Sequence, residues 1–323
     1  MNMDKEVSYN TEFDSTFPNV VAEAKCFVWG GDWTKQKLDI FENYVKAYLT
    51  IMNSFRHRYN WKLIYFDGFA GSGERNQKIK DSESESVSLS IGEEFVLPQE
   101  LEVYQGAAER VVKLEKQLDG FDYYYFVEKD SESCNKLKLK LGDIDTKGCK
   151  VFRNNDVNVE LVKLANGLSK HPNFKCLCML DPFGMSINWT SLEMLEKKSV
   201  DLWILLPSGV IINRLLKRNG ELMYPERLES FFGLDAEEIK QWFYERKEEV
   251  DLFGEKQWYE KKDNSIERIA ELYCKRLSKL FNYVTDRPLV MKNNHNVPIF
   301  HFVFASNNAN AKKIAQQIIT KRQ

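Results

Sequence analysis

The chain is short of most features that betray a function quickly. Its six cysteines, Cys26, Cys134, Cys149, Cys176, Cys178 and Cys274, include no Cys-x-x-Cys pair. Their spacing therefore excludes the common zinc and thioredoxin-like signatures. Cys176 and Cys178 alternate in an apolar stretch and should point to one face of a strand, as two small buried hydrophobes of a reducing compartment. Histidine is scarcer still. His57, His171, His295 and His301 share no metal-ligand spacing, and no Ser-His-Asp or Cys-His arrangement can be drawn from them. No apolar run reaches membrane-spanning length, and residues 1–17 are polar, without the apolar centre of a signal peptide. The expectation is a cytoplasmic chain with no membrane contact.

Charge of one sign is lacking as well. Lys plus Arg number 46 and Asp plus Glu 48, a net −2. A protein that coats nucleic acid would be basic. Any polyanion must here meet a local patch. The candidates are Arg56, His57, Arg58 and Lys62, then Lys136, Lys138 and Lys140, then Arg214, Lys217 and Arg218. Each could equally be a solvated helix face.

What is present is enough apolar matter for a core: 43% hydrophobic and 13% aromatic residues over 323 positions. That suits one large α/β domain, or one domain with an insert. After a polar tail, Thr34 is a candidate N-cap. Leu38, Ile40, Phe41, Tyr44, Val45, Tyr48 and Leu49 then recur at helical spacing and predict a helix over about 35–57. Apolar strands follow at 62–66, 122–127, 149–153, 175–180 and 200–206, separated by helical stretches at 107–118, about 157–169 and 189–197. A polar, Ser/Glu-rich excursion fills 74–106. Such alternation predicts a mostly parallel sheet covered on both faces. Segment 214–282, rich in Lys, Glu, Phe and Trp, reads as a helical insert. Residues 289–292 and 298–305 then form an antiparallel pair around the turn Asn293–Asn296, and a helix closes the chain at 309–319.

Each candidate site falls just after a strand, where open α/β sheets bind ligands. The first is Asp67-Gly68-Phe69-Ala70-Gly71-Ser72-Gly73. Glycines between a strand and a helix let the backbone approach a ligand closely. Ala70 and Gly71 leave room for a small cofactor group, and Asp67 can fix backbone amides or take an ammonium. A phosphate-binding P-loop fits the turn less well, because no Lys-Ser/Thr pair follows the last glycine. Glu128 ends the next strand, where a carboxylate can accept both hydroxyls of a ribose. The interval from Gly71 is long only because of the excursion. Asp156 holds the matching place after the third strand and can take an adenine amino group, or simply form a turn. After the fourth strand comes Asp181-Pro182-Phe183-Gly184. Asp181 and the Pro182 carbonyl can accept protons from an attacking amine, and Phe183 can stack against a ring.

Taken together, these residues resemble the three-Cys-motif partner (TcmP) family, a branch of the Rossmann-fold methyltransferases. The resemblance spans about 33–319. It is carried by Trp33-Thr34-Lys35 with Lys37-Leu38, Ile64 to Gly71, Phe126-Val127-Glu128-Lys129-Asp130, Asp181 to Gly184, Asn213-Arg214 and Ile299 to Ser306. It implies a single class I methyltransferase domain over 1–323, comprising an N-terminal tail and helix (1–61), a mostly parallel sheet with one antiparallel C-terminal strand, and the insert at 214–282. It implies S-adenosylmethionine as cofactor, held by Asp67, Gly68, Phe69, Ala70, Gly71, Gly73, Glu128 and Asp156. It also implies a partner bearing three cysteines, of radical-SAM type. A more distant likeness is to amino-methyltransferases of nucleic acid bases, whose fourth-strand motif is Asp-Pro-Pro-Tyr or a relative. This chain departs from it at Phe183 and Gly184. Methyl transfer to a nucleic acid is thus the leading expectation, with Asp181, Pro182 and Phe183 as its catalytic set and Arg214, Lys217 and Arg218 as a basic rim. The alternatives are a non-catalytic partner protein on the same fold, and a metal-dependent nucleic-acid enzyme using Asp67, Glu128 and Asp181.

Overall fold

The computed structural model describes residues 32–72, 106–182, 184–251, 254–293 and 295–321. Gly73, Phe183 and nearly all of the 74–106 excursion lie outside the described residues.

Five strands form the parallel part of the sheet: β1 (Lys62–Asp67), β2 (Tyr123–Glu128), β3 (Cys149–Asn154), β4 (Phe174–Leu180) and β5 (Val200–Leu206). In β1 and β4 the burial is almost unbroken. Such continuously apolar strands fit only where helices cover both faces of a sheet. A hairpin follows, β6 (Tyr244–Asp251) and β7 (Gly254–Lys261), and then β8 (Tyr283–Val284), β9 (Leu289–Lys292) and β10 (Pro298–Ser306). The main sheet runs β3-β2-β1-β4-β5-β10-β8, with β9 also on β10. β10 is antiparallel to β5, β8 and β9. β8 and β9 therefore share one flank of β10, interrupted at 285–288. The expected antiparallel pair is present. The chain builds outward from β1 to β3, returns, and builds the other way from β4, so the switch point lies between β1 and β4. This is the Rossmann-like arrangement of class I methyltransferases, with one reversed strand beside β5.

The first helix, α1, spans Asp32–Tyr59. Thr34 lies inside its first turn instead of capping it. All seven apolar positions of its stripe are buried. Phe41 and Tyr44 meet Trp203 of β5 at 6.4 and 5.3 Å, and Tyr48 stacks on Phe121 at 5.9 Å. α1 thus lies across the middle of the sheet, which brings its N-terminal half over the switch point.

The insert differs from the sequence expectation. Helices Pro225–Phe232, Ala236–Phe243 and Ser265–Leu277 are present, and they bury Leu228, Phe231, Phe232, Ile239 and Phe243. Residues 244–261, however, form the β6–β7 hairpin, with Arg246 opposite Tyr259 and Lys247 opposite Trp258. Charged residues on both of its faces hide the two-residue period. Trp258 is an exposed hairpin residue and not a helix core residue. Among the described residues, no helix is long and apolar enough to cross a membrane.

Candidate cofactor site

The turn after β1 is strapped to both neighbouring strands. Gly68 N donates to the Met179 carbonyl of β4 at 2.9 Å, and Ala70 N to the Val127 carbonyl of β2 at 2.9 Å. A Cβ on Gly68 would come within 2.5 Å of Leu180 and 2.8 Å of Val157, so the turn packs as closely as a residue without a side chain permits. Gly71 has φ +64°, a left-handed conformation that favours glycine. Its N–H donates to Glu128 Oε2 at 2.9 Å, and the Asp130 N–H donates to Oε1 at 2.9 Å. Glu128 thereby ties the β1 turn to the β2 turn. Burial pushes its carboxyl up, against the pull of these two amides.

Asp67 is buried. It accepts from the Tyr65 hydroxyl at 2.9 Å and the Phe69 amide at 3.2 Å. Burial first, and the Asp181 and Glu128 carboxylates after it, raise its pKa to about 7, although the two hydrogen bonds oppose the shift. That value lies above the ordinary 3.8, so the folded chain holds this proton longer than the unfolded one. The linked stability is complete below the unfolded pKa and lost as pH rises through about 7. Asp67→Asn should therefore flatten the decline in stability between pH 5 and 8. Urea titrations of both proteins should differ in slope by up to about 1.4 kcal/mol per pH unit. Parallel profiles would show that Asp67 ionises freely.

The expected catalytic acid is placed differently from a free acceptor. Asp181 and Pro182 follow β4 and are both buried, and the Asp181 carboxylate is paired with the Nζ of Lys37, from α1. Both side chains are almost fully enclosed. Lys37 is the sole buried Lys or Arg among the described residues. Burial pushes the Asp181 carboxyl up, while the Lys37 ammonium draws it back. Sequence reasoning gave Lys37 no role. The available signal was its place beside Trp33-Thr34-Lys35, together with a charge on the apolar stripe of α1.

Asp156 caps the helix Val157–Lys170, accepting from the Asn158 amide at 2.9 Å. Its other oxygen lies 3.6 Å from Lys129 Nζ. Structure thus brings Asp67, Gly68, Ala70, Gly71, Glu128 and Asp181 around the switch point, with Asp156 one strand further out. Arg214, Lys217 and Arg218 are exposed and follow the π-helical turn Ser208–Ile212, which leaves the same carboxyl end of the sheet from β5. Within that turn Ser208 Oγ lies 2.7 Å from His301 Nδ1, both buried, and burial lowers the His301 pKa to about 4. No group of acids, histidines and cysteines among the described residues could hold a metal ion. A divalent-metal reading of Asp67, Glu128 and Asp181 thus finds no such cluster here.

No family model and no curated protein sequence matches the chain. Among solved structures, the complex of Trm1 from Pyrococcus horikoshii with S-adenosyl-L-methionine is similar at 11% identity and a TM-score of 0.37. The match covers 86% of this chain and 57% of that one. The chain thus spans under two thirds of that protein's length.

Proposed function

We propose that the chain is an S-adenosylmethionine-dependent methyltransferase acting on a nucleic acid, with a base amino group as acceptor. The observation that carries this reading is the set of glycine-containing turns and carboxylates, Asp67, Gly68, Gly71, Glu128 and Asp181, gathered at the switch point between β1 and β4. Open α/β sheets take their ligands there. Glu128 would exchange its Gly71 amide bond for, or share it with, the ribose hydroxyls. Asp156 would face the adenine. The close turn at Gly68 to Gly71 would admit the methionine portion, with Gly73 continuing it. The positive charge of that portion would meet Asp67. The same cation favours the ionised carboxyl, so binding should strengthen as pH rises through about 7.

S-adenosylmethionine would supply the transferable methyl. Asp181 would orient the attacking amine with the Pro182 carbonyl, beside Phe183, and positioning and exclusion of water would do most of the catalysis. Arg214, Lys217 and Arg218 would form a basic rim. The resemblance to three-Cys-motif partners belongs to this proposal. Two of its motifs, the Lys37 segment and Asp181 to Gly184, meet in one ion pair across 144 residues.

Calorimetry with S-adenosylmethionine tests the reading directly. Saturable binding is expected, and Glu128→Ala should weaken it by about 1.5–3 kcal/mol, the scale of a charge-assisted hydrogen bond. Absence of binding would refute the cofactor. Equal affinity in the variant would remove Glu128 from the ribose.

A further inference from the structure

We infer a second nucleic-acid contact on this chain: a stacking ridge for single strands at the amino ends of the strands, remote from the candidate cofactor site. The ridge is made where α1 ends and β1 begins. Phe55, Tyr59 and Trp61 stand in sequence, with ring centroids 6.4 Å apart and then 5.0 Å apart, the last pair nearly parallel at 22°. Phe55 is 43% and Tyr59 50% exposed, an unusual outlay of apolar ring for a surface turn. Cations flank the rings. The Arg58 guanidinium lies 5.5 Å from the Tyr59 ring centre, and Lys175 Nζ lies 5.4 Å from that of Trp61.

Charge selects the occupant. Arg56, Arg58, Lys62 and Lys175 surround the ridge, while Asp122 is the carboxylate set among them, bonded to both Arg56 and Lys62. Asp122 holds Arg56 and Lys62, and Asp119 also faces Arg56, so the local surplus on this chain of net charge −2 rests on Arg58 and Lys175. The surplus fades toward the neighbouring cleft of about 460 Å³, where Asp119 and Glu115 face Arg56, His57 and Lys147. An apolar protein partner would have no use for that surplus. A single strand has use for both parts. Its bases stack on aromatic faces irrespective of sequence, and its phosphates follow the cations. A helix C-terminus also favours the basic last turn, Arg56 to Arg58, but this does not account for two exposed rings in line with the half-buried Trp61.

β1 has six residues, so about 20 Å of strand separates this ridge from the candidate cofactor site at its other end. A strand held here is anchored well away from any reacting base. The inference does not depend on methyl transfer, and cofactor calorimetry can fail without touching it.

The test is fluorescence anisotropy with a labelled oligouridylate of about 16 nucleotides, the upper range of one such site. Tyr59→Ala and Phe55→Ala are exposed changes whose folding can be confirmed by an unaltered thermal midpoint. Each should weaken binding about tenfold or more. Arg58→Gln should weaken it and reduce the dependence of log affinity on log salt by about 0.7. A triple change of Arg214, Lys217 and Arg218 to Gln, at the opposite, carboxyl end of the sheet, should leave a clear residue of binding that Tyr59→Ala then removes. Absence of oligouridylate binding would overturn the inference. So would binding that the triple change abolishes while Tyr59→Ala leaves it intact.

Discussion

Lys37→Met is expected to cost about 3–5 kcal/mol of folding stability, the range measured when one partner of a buried ion pair is removed. The lysine and Asp181 are both almost wholly enclosed, and their charges meet 144 residues apart in the chain. Methionine keeps much of the stem volume, so the loss would come from the carboxylate left in a poorly solvated place. Part of it can be relieved by protonation, because burial already pushes the Asp181 carboxyl up. The deficit should therefore shrink on acidification. The double variant Lys37→Met with Asp181→Asn should recover much of it, since neither position then carries a buried charge. Urea unfolding at pH 8 and pH 5 measures both effects. A single variant within about 0.5 kcal/mol of the parent at pH 8, the scale of an ordinary surface change, would mean that the pair contributes little.

Asp181→Asn tests catalysis at some cost in folding stability, because the buried Lys37 ammonium then faces a neutral amide. An asparagine still offers its side-chain oxygen to Lys37, and it still follows β4 at the switch point. It cannot present the same charged acceptor to an attacking amine. The variant should bind S-adenosylmethionine within a few-fold of the parent and lose on the order of 10²-fold or more in methyl transfer, as a positioning residue does. Under the proposed function, transfer of labelled methyl from S-adenosylmethionine to a nucleic-acid acceptor gives the comparison. Full turnover in the variant would end the assignment of Asp181. A collapse of cofactor affinity instead would make the Lys37–Asp181 pair part of the cofactor site.

Much of this molecule was legible because its strands are nearly continuous apolar runs and each ends on a polar turn. β1, β2, β4 and β5 read directly from such runs, and so did the antiparallel β10 with its Asn-rich turn. α1 was legible from seven apolar residues in register, all buried. The site was legible in part. Glycines and acids after strands mark positions, but they do not say which groups already hold one another. That Glu128 takes the Gly71 amide depends on the parallel register of β1 with β2, where Asp67 lies opposite Phe126. That Lys37 reaches Asp181 depends on α1 crossing the sheet, which no local pattern encodes. The β6–β7 hairpin escaped because its alternation is of charge with charge, and period-two signals need one apolar face.

The broken flank beside β10 bears on how concentrated a solution of this protein can become. A long bare strand would template pairing with another molecule. Here the outer partners of β10 are two residues at β8 and four at β9, separated by a break that contains Pro288. Within that break Thr285 occupies the Phe304 amide and carbonyl. The opposite edge, β3, carries Lys150 and Arg153, whose cationic ends are spent on the Leu141 carbonyl and the Tyr125 hydroxyl. The β8–β9 margin of the eight-stranded sheet thus offers no long ladder to a second copy. Clumping through that margin on heating should therefore follow loss of the fold and not precede it.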